Sequence, residues 1–220
     1  MTIQVKICGI NSVESADAAV RAGADFAGLV FHPKSPRAVN MEQARALSER
    51  MRGRTRVVAL MVEPDDGALN AMIVNTRPDF IQLHGNESVA RVGEIKSTTG
   101  LPVIKVISVA EASDLSGASA YEAVANMLMF DAKAPATATR EGGHGAVFDW
   151  QLLKGRIFTR PWLLAGGLNA ENVARAVSIS GAPGVDVSSG VETAPGQKSP
   201  QMIRAFVEGA RNASFVSAQP

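Results

Sequence analysis

An alternation of short apolar runs with helix-spaced segments, repeated eight times, constrains this chain more than any other feature. β-Branched or apolar runs occupy residues 3–8, 26–31, 57–62, 80–84, 103–107, 127–131, 162–165 and 185–188. Helical spacing follows at 12–22, 41–51, 65–75, 88–96, 121–125, 169–177 and 199–210. After the sixth run the helical pattern shrinks to one or two turns near 150–153. Several borders carry helix punctuation: Ser12 with Ser15 and Asp17 behind it, Gly23 after the first helix, Asn169 and Glu171 before the sixth, and Gly181 beyond it.

Strictly alternating strands and helices imply parallel pairing, because each crossover returns the chain to the same end of the sheet. Eight such units in 220 residues predict an α/β fold, a (βα)8 TIM barrel of eight parallel strands with outer helices. The competing open, doubly wound sheet lacks its Gly-x-Gly-x-x-Gly turn after the first strand. No linker divides the chain, so one catalytic domain is expected over residues 1–212, followed by a tail at 213–220.

Charge and hydropathy narrow the partners. Twenty-two Lys plus Arg against 21 Asp plus Glu leave a net charge of +1, which gives no electrostatic footprint for nucleic acid or an acidic membrane. Apolar runs such as 57–62 fall far short of the roughly 18 residues of a membrane span. No cationic leader precedes the first strand, so a cytoplasmic protein is expected. The lone cysteine, Cys8, rules out an internal disulfide or a multi-thiolate metal site. Nothing in the chain calls for an obligate protein partner.

Side chains alternate across a strand. Ile3, Val5 and Ile7 suit the layer beneath the helices, which leaves Gln4, Lys6 and Cys8 on the other face. Gln82 likewise shares a face with His84, Met127 with Asp131, Asp186 with Ser188, and Lys105 with Val103 and Ile107. A charge facing a barrel interior is costly unless paired, so Lys6 and Lys105 are both expected to meet Asp186, Asp131 or another acceptor. The first and eighth strands adjoin on closure, which makes Lys6–Asp186 the preferred pair. The alternative is a polar plug that merely fills the barrel.

Active sites of such barrels lie at the carboxyl ends of the strands, with phosphate often held after the seventh and eighth. Those ends read Ala165-Gly166-Gly167 and Ser188-Ser189-Gly190, where main-chain N–H groups can approach an anion closely. The combination favours a phosphosugar. Cys8 and Asp131 end the first and sixth strands and should overlook the same mouth. A lone Cys is usually a small buried hydrophobe, and a strand-end carboxylate commonly caps a turn. Together, however, a thiol and a carboxyl across one pocket can move protons without a metal or cofactor. Arg37, after the second strand, has the planar fork that grips a carboxylate. His32, His84 and His144 show no close metal-ligand spacing.

Read in order, these strand ends resemble the phosphoribosylanthranilate isomerase family over nearly the whole chain. The marks are Lys6-Ile7-Cys8-Gly9-Ile10, Phe31-His32-Pro33-Lys34-Ser35-Pro36-Arg37, Gln82-Leu83-His84-Gly85 and Asp131-Ala132-Lys133. They continue with Gly142-Gly143-His144-Gly145, Phe148-Asp149-Trp150, Ala165-Gly166-Gly167-Leu168, and Asp186-Val187-Ser188-Ser189-Gly190-Val191-Glu192 followed by Pro195-Gly196.

The resemblance implies a cofactor-free Amadori rearrangement in tryptophan biosynthesis, acting on a small phosphoribosyl substrate. It makes Asp131 the general acid and Cys8 the general base. Arg37 is matched to contact with the anthranilate part, and Gly166, Gly167, Ser189 and Gly190 to the phosphate turns. Gln82, His84, Asp186 and Ser188 complete the expected substrate contacts. On this reading Cys8 should be partly thiolate near neutral pH, favoured by the Lys6 ammonium.

Asn11 stands where the family usually has Thr, and His144 where a small hydroxyl residue is more usual; the loop at 134–146 is a candidate lid. Two other readings compete. The related aminoaldose isomerase of histidine biosynthesis uses a carboxylate at the position of Cys8. A non-catalytic phosphoribosyl binder would need neither Cys8 nor Asp131.

Overall fold

A computed structural model describes residues 2–133 and 148–213. Its frame is a closed barrel of eight parallel strands in sequence order: β1 (Gln4–Cys8), β2 (Phe26–Val30), β3 (Arg56–Met61), β4 (Phe80–Leu83), β5 (Val103–Val109), β6 (Met127–Ala132), β7 (Trp162–Leu164) and β8 (Gly184–Val187). β1 closes the ring against β8, with Lys6 opposite Asp186.

The helices are α1 (Val13–Ala22), α2 (Met41–Met51), α3 (Asp66–Thr76), α4 (Val89–Thr99), α5 (Ala118–Val124), α6 (Val173–Ser180) and α7 (Pro200–Arg211). Local chemistry sets their ends. Ser12 and Ser15 form a reciprocal capping box before α1, and Asn40, Asp65, Ser88 and Ser199 each accept a first-turn N–H. Gly23, Gly100 and Gly181 close α1, α4 and α6 in the left-handed conformation. Asn169 opens a turn rather than the sixth helix, accepting from the N–H groups of Glu171 and Asn172, and α6 begins at Val173. Between β6 and β7 the described chain makes a single 3-10 turn at Trp150–Leu153. The candidate lid at 134–146, including His144, lies outside the described residues, as does the tail from 214 on.

Apolar side chains fill two layers. The larger lies between strands and helices; in α7, Ile203, Phe206, Val207 and Ala210 recur at helical spacing and are all buried in it. Burying each large member of that stripe contributes about 1.5–3 kcal/mol. The smaller, inside the barrel, holds Phe26, Val58, Ile104, Val106, Met127, Met129 and Leu163. Arg56 lies over the Phe26 ring, 3.8 Å from its centroid.

The fifth strand corrects one expectation. β5 pairs with Gln82 opposite Ile104 and Leu83 opposite Lys105, so Ile104 and Val106 face the interior and Lys105 faces the helices. Lys105 is nonetheless buried and paired: its Nζ donates to Glu87 Oε2 and to the Gly85 carbonyl, both at 2.6 Å. Glu87, not Asp131 or Asp186, neutralises it. Among the described residues no helix is long and apolar enough to cross a membrane.

Candidate active site

The inward face of β1 is where charge first enters the barrel. Lys6 is fully buried, and its Nζ donates to Asp186 Oδ1 across the β1–β8 seam at 2.8 Å, the pair expected from closure. Burial works against the Lys6 charge, but Asp186 and the Cys8 sulfur hold the ammonium above its ordinary value. Cys8, one step nearer the carboxyl end on the same face, is buried too. Burial pushes its thiol up, and the nearby Lys6 and Lys198 ammonium groups oppose this without reversing it. The expected low thiol is therefore corrected. Asp186 adds to the upward push, because its negative charge repels a thiolate at Cys8.

Above this layer the carboxyl ends of the strands surround a cavity. Cys8, Asp186 and Ser188 border it from β1 and the end of β8; Gln82, His84 and Asp131 border it from β4 and β6. His84 Nε2 stands 3.3 Å from Asp131 Oδ2. Val30, Leu60 and Val62 supply an apolar wall suited to an aromatic ring. Gln82 is buried, and its Oε1 has no hydrogen-bond partner among the described residues.

Arg37 reaches the cavity from the segment after β2. It lies across Gly9, whose backbone is left-handed (φ 79°); a Cβ there would stand 2.6 Å from Arg37 Cδ. Sequence reasoning offered the whole guanidinium to a ligand. Instead Glu192 already takes two of its donors, Nε at 2.7 Å and Nη2 at 2.8 Å. Burial opposes the Arg37 charge, and Glu192 outweighs it, holding the guanidinium above its usual value.

The remaining expected residues form two touching turns beside the cavity. Gly166 and Gly167 both have positive φ after β7, and Asn172 Nδ2 donates to the Gly167 carbonyl at 2.9 Å. Ser188 borders the cavity and leads into a 3-10 turn at Ser189–Val191. Gly190 packs so tightly on the Leu168 carbonyl that no side chain fits there. Gly166, Gly167, Ser189 and Gly190 are thus gathered at one corner, although none of them borders the main cavity.

Two residues with buried side chains join the site without having been expected there. Glu192 belonged to a recognised stretch but was given no role. Lys198 carried no sequence mark; its Nζ donates to Glu192 Oε1 at 2.7 Å and to the Ser188 carbonyl at 2.9 Å. Among the described residues no three His, Cys, Asp or Glu side chains gather as metal ligands would.

Known proteins resemble this chain in sequence and fold. The family model described as N-(5'phosphoribosyl)anthranilate (PRA) isomerase matches residues 5–209. An N-(5'-phosphoribosyl)anthranilate isomerase of Rhodopseudomonas palustris (strain BisB18) is 54% identical over 211 residues, which span 96% of this chain and 97% of that protein. The crystal structure of phosphoribosyl anthranilate isomerase from Thermotoga maritima superposes with a TM-score of 0.85 at 35% identity, covering 94% of this chain and 98% of that one. A further structure of such an isomerase, in complex with reduced 1-(o-carboxyphenylamino)-1-deoxyribulose 5-phosphate, gives a TM-score of 0.81 at 32% identity, again covering 94% and 98%.

Proposed function

The chain belongs to the N-(5'-phosphoribosyl)anthranilate isomerase family, and on that footing we propose how its own residues carry the reaction. It isomerises N-(5'-phosphoribosyl)anthranilate in tryptophan biosynthesis. Asp131 gives a proton to the ribose ring oxygen as the C1–O bond breaks. The anthranilate nitrogen lone pair then forms an iminium at C1, and the ring oxygen leaves as the C4 hydroxyl. The Cys8 thiolate removes the C2 proton, and that electron pair closes the C1–C2 double bond of a neutral enolamine. Loss of the C2 hydroxyl proton and gain of one at C1 complete 1-(2-carboxyphenylamino)-1-deoxyribulose 5-phosphate. No electrons leave the substrate, so no redox partner or cofactor enters.

Binding divides among the other residues. The three apolar side chains of the wall receive the anthranilate ring, and Arg37 takes its carboxylate with the N–H groups that Glu192 leaves open. The turns at Gly166–Gly167 and Ser189–Gly190 grip the phosphate through main-chain amides. Gln82, His84, Asp186 and Ser188 face the sugar. We further infer a single catalytic domain over 1–212 with a tail at 213–220, working in the cytoplasm without nucleic acid or an obligate protein partner.

The observation that carries this reading is that Cys8 and Asp131, from β1 and β6, border one cavity. The direct test follows the fluorescence of phosphoribosylanthranilate with purified protein and identifies the product by NMR. The expected result is catalytic loss of signal with formation of the ketose. A protein that binds the compound without turning it over would instead be a phosphoribosyl-ligand binder.

A further inference from the structure

After the turn at Ser189–Val191 the chain makes a small antiparallel hairpin, β9 (Glu192–Ala194) and β10 (Gln197–Lys198). It is tied down at its tip, where Asn11 Nδ2 donates to the Gly196 carbonyl at 2.9 Å. At its base Glu192 lies between two cations. Both of its oxygens receive Arg37, and Oε1 also receives Lys198 at 2.7 Å. Lys198 donates in turn to the Ser188 carbonyl and, at 3.3 Å, to Ser188 Oγ, and that hydroxyl donates to the Cys8 carbonyl at 3.3 Å.

All three charged side chains are buried, with 6%, 4% and 0% exposure for Arg37, Glu192 and Lys198. Glu192 is shared by two basic side chains, and burial holds the Lys198 ammonium below its ordinary value even with Glu192 beside it. Five N–H groups belong to a guanidinium, and the donors on Arg37 Nη1 bond to no described residue. Neither Glu192 nor Lys198 borders the cavity, so both act through residues that do.

We propose that Glu192 and Lys198 are positioning residues for the isomerisation. Glu192 grips the Nε edge of Arg37 and so presets the Nη1 edge for the carboxylate of the anthranilate ring. Lys198 fastens Glu192 to Ser188, which sets the carboxylate clamp and the turn beside the phosphate from one strap. A guanidinium fixed before the ligand arrives loses less freedom on binding it. The proposal rests on the reading of Arg37 given above.

The test compares two ligands by calorimetry: the reduced product analogue and its counterpart lacking the ring carboxylate. In Glu192→Gln the carboxylated ligand should weaken about tenfold or more and its counterpart by less than about threefold, the scale of one charged hydrogen bond. Glu192→Asp carries the same comparison if the Gln variant does not fold. Equal weakening of both ligands, or of neither, while Arg37→Met selectively weakens the carboxylated one, would overturn the role of Glu192. An Arg37→Met substitution that leaves the wild-type preference for the carboxylated ligand intact would instead overturn the reading of Arg37. Lys198→Met should weaken both ligands, because it touches both grips; unchanged affinity for both would remove Lys198 from the strap.

Discussion

Cys8 shows how a barrel interior treats a reactive group. Its sulfur is withdrawn from water, and the nearest ammonium, on Lys6, is already paired with Asp186. Burial therefore dominates, and the thiol is pushed up despite its cationic neighbours. A raised value means that the thiolate fills in only as the pH climbs. Alkylation of the free protein by iodoacetamide should accordingly rise with a midpoint above about 8.5, the ordinary value for cysteine. A midpoint below the ordinary value would show that Lys6 and Lys198 outweigh burial after all.

Among the elements, the strands are secured at the end away from the cavity by a repeated device. Asp25, Asp79 and Asn126 each precede an even-numbered strand, and each accepts the N–H at or near the start of the strand before it: Val5, Val57 and Val103. Arg211 of α7 also donates to Asp25, at 2.8 Å. Asp25→Ala leaves the N–H of buried Val5 without its acceptor, at a cost of about 1–3 kcal/mol. Urea unfolding should register that loss while kcat stays at the wild-type value, because the change lies at the opposite end of the barrel.

The order of these elements was legible because each apolar run is short and five of the seven helices carry a side-chain N-cap. The facing of β1 was legible as well, since Lys6 and Cys8 alternate with Val5 and Ile7. β5 was not: Val103 to Val109 is apolar on both faces, as parallel strands buried on two sides are, so alternation could not say where Lys105 points. The cation found Glu87 beneath the helices instead. The hairpin was hidden for another reason. Its strands are too short to show a period, so nothing beside Pro195-Gly196 marks that dipeptide as a turn between paired segments. Missing it concealed Lys198, which meets Ser188 and Glu192 only once the chain has folded back.

At the scale of the molecule the barrel separates two tasks. One end holds the Asp25, Asp79 and Asn126 clamps, and the other gathers Cys8, Asp131, Arg37 and the glycine turns. Eight consecutive units are needed to bring β1 beside β8, with β6 two strands round the ring from β8. The division of acid and base between Asp131 and Cys8 is thus a property of closure rather than of any local segment.

The most direct measurement is kcat at saturating phosphoribosylanthranilate for Cys8→Ala and Asp131→Asn, with affinity for the reduced product analogue measured on the same preparations. Each variant should bind the analogue within a few-fold of wild type yet lose about 10²–10⁴ in kcat, the usual worth of a general acid or base. Near-wild-type turnover by either one would contradict the assignment of that residue to the chemistry.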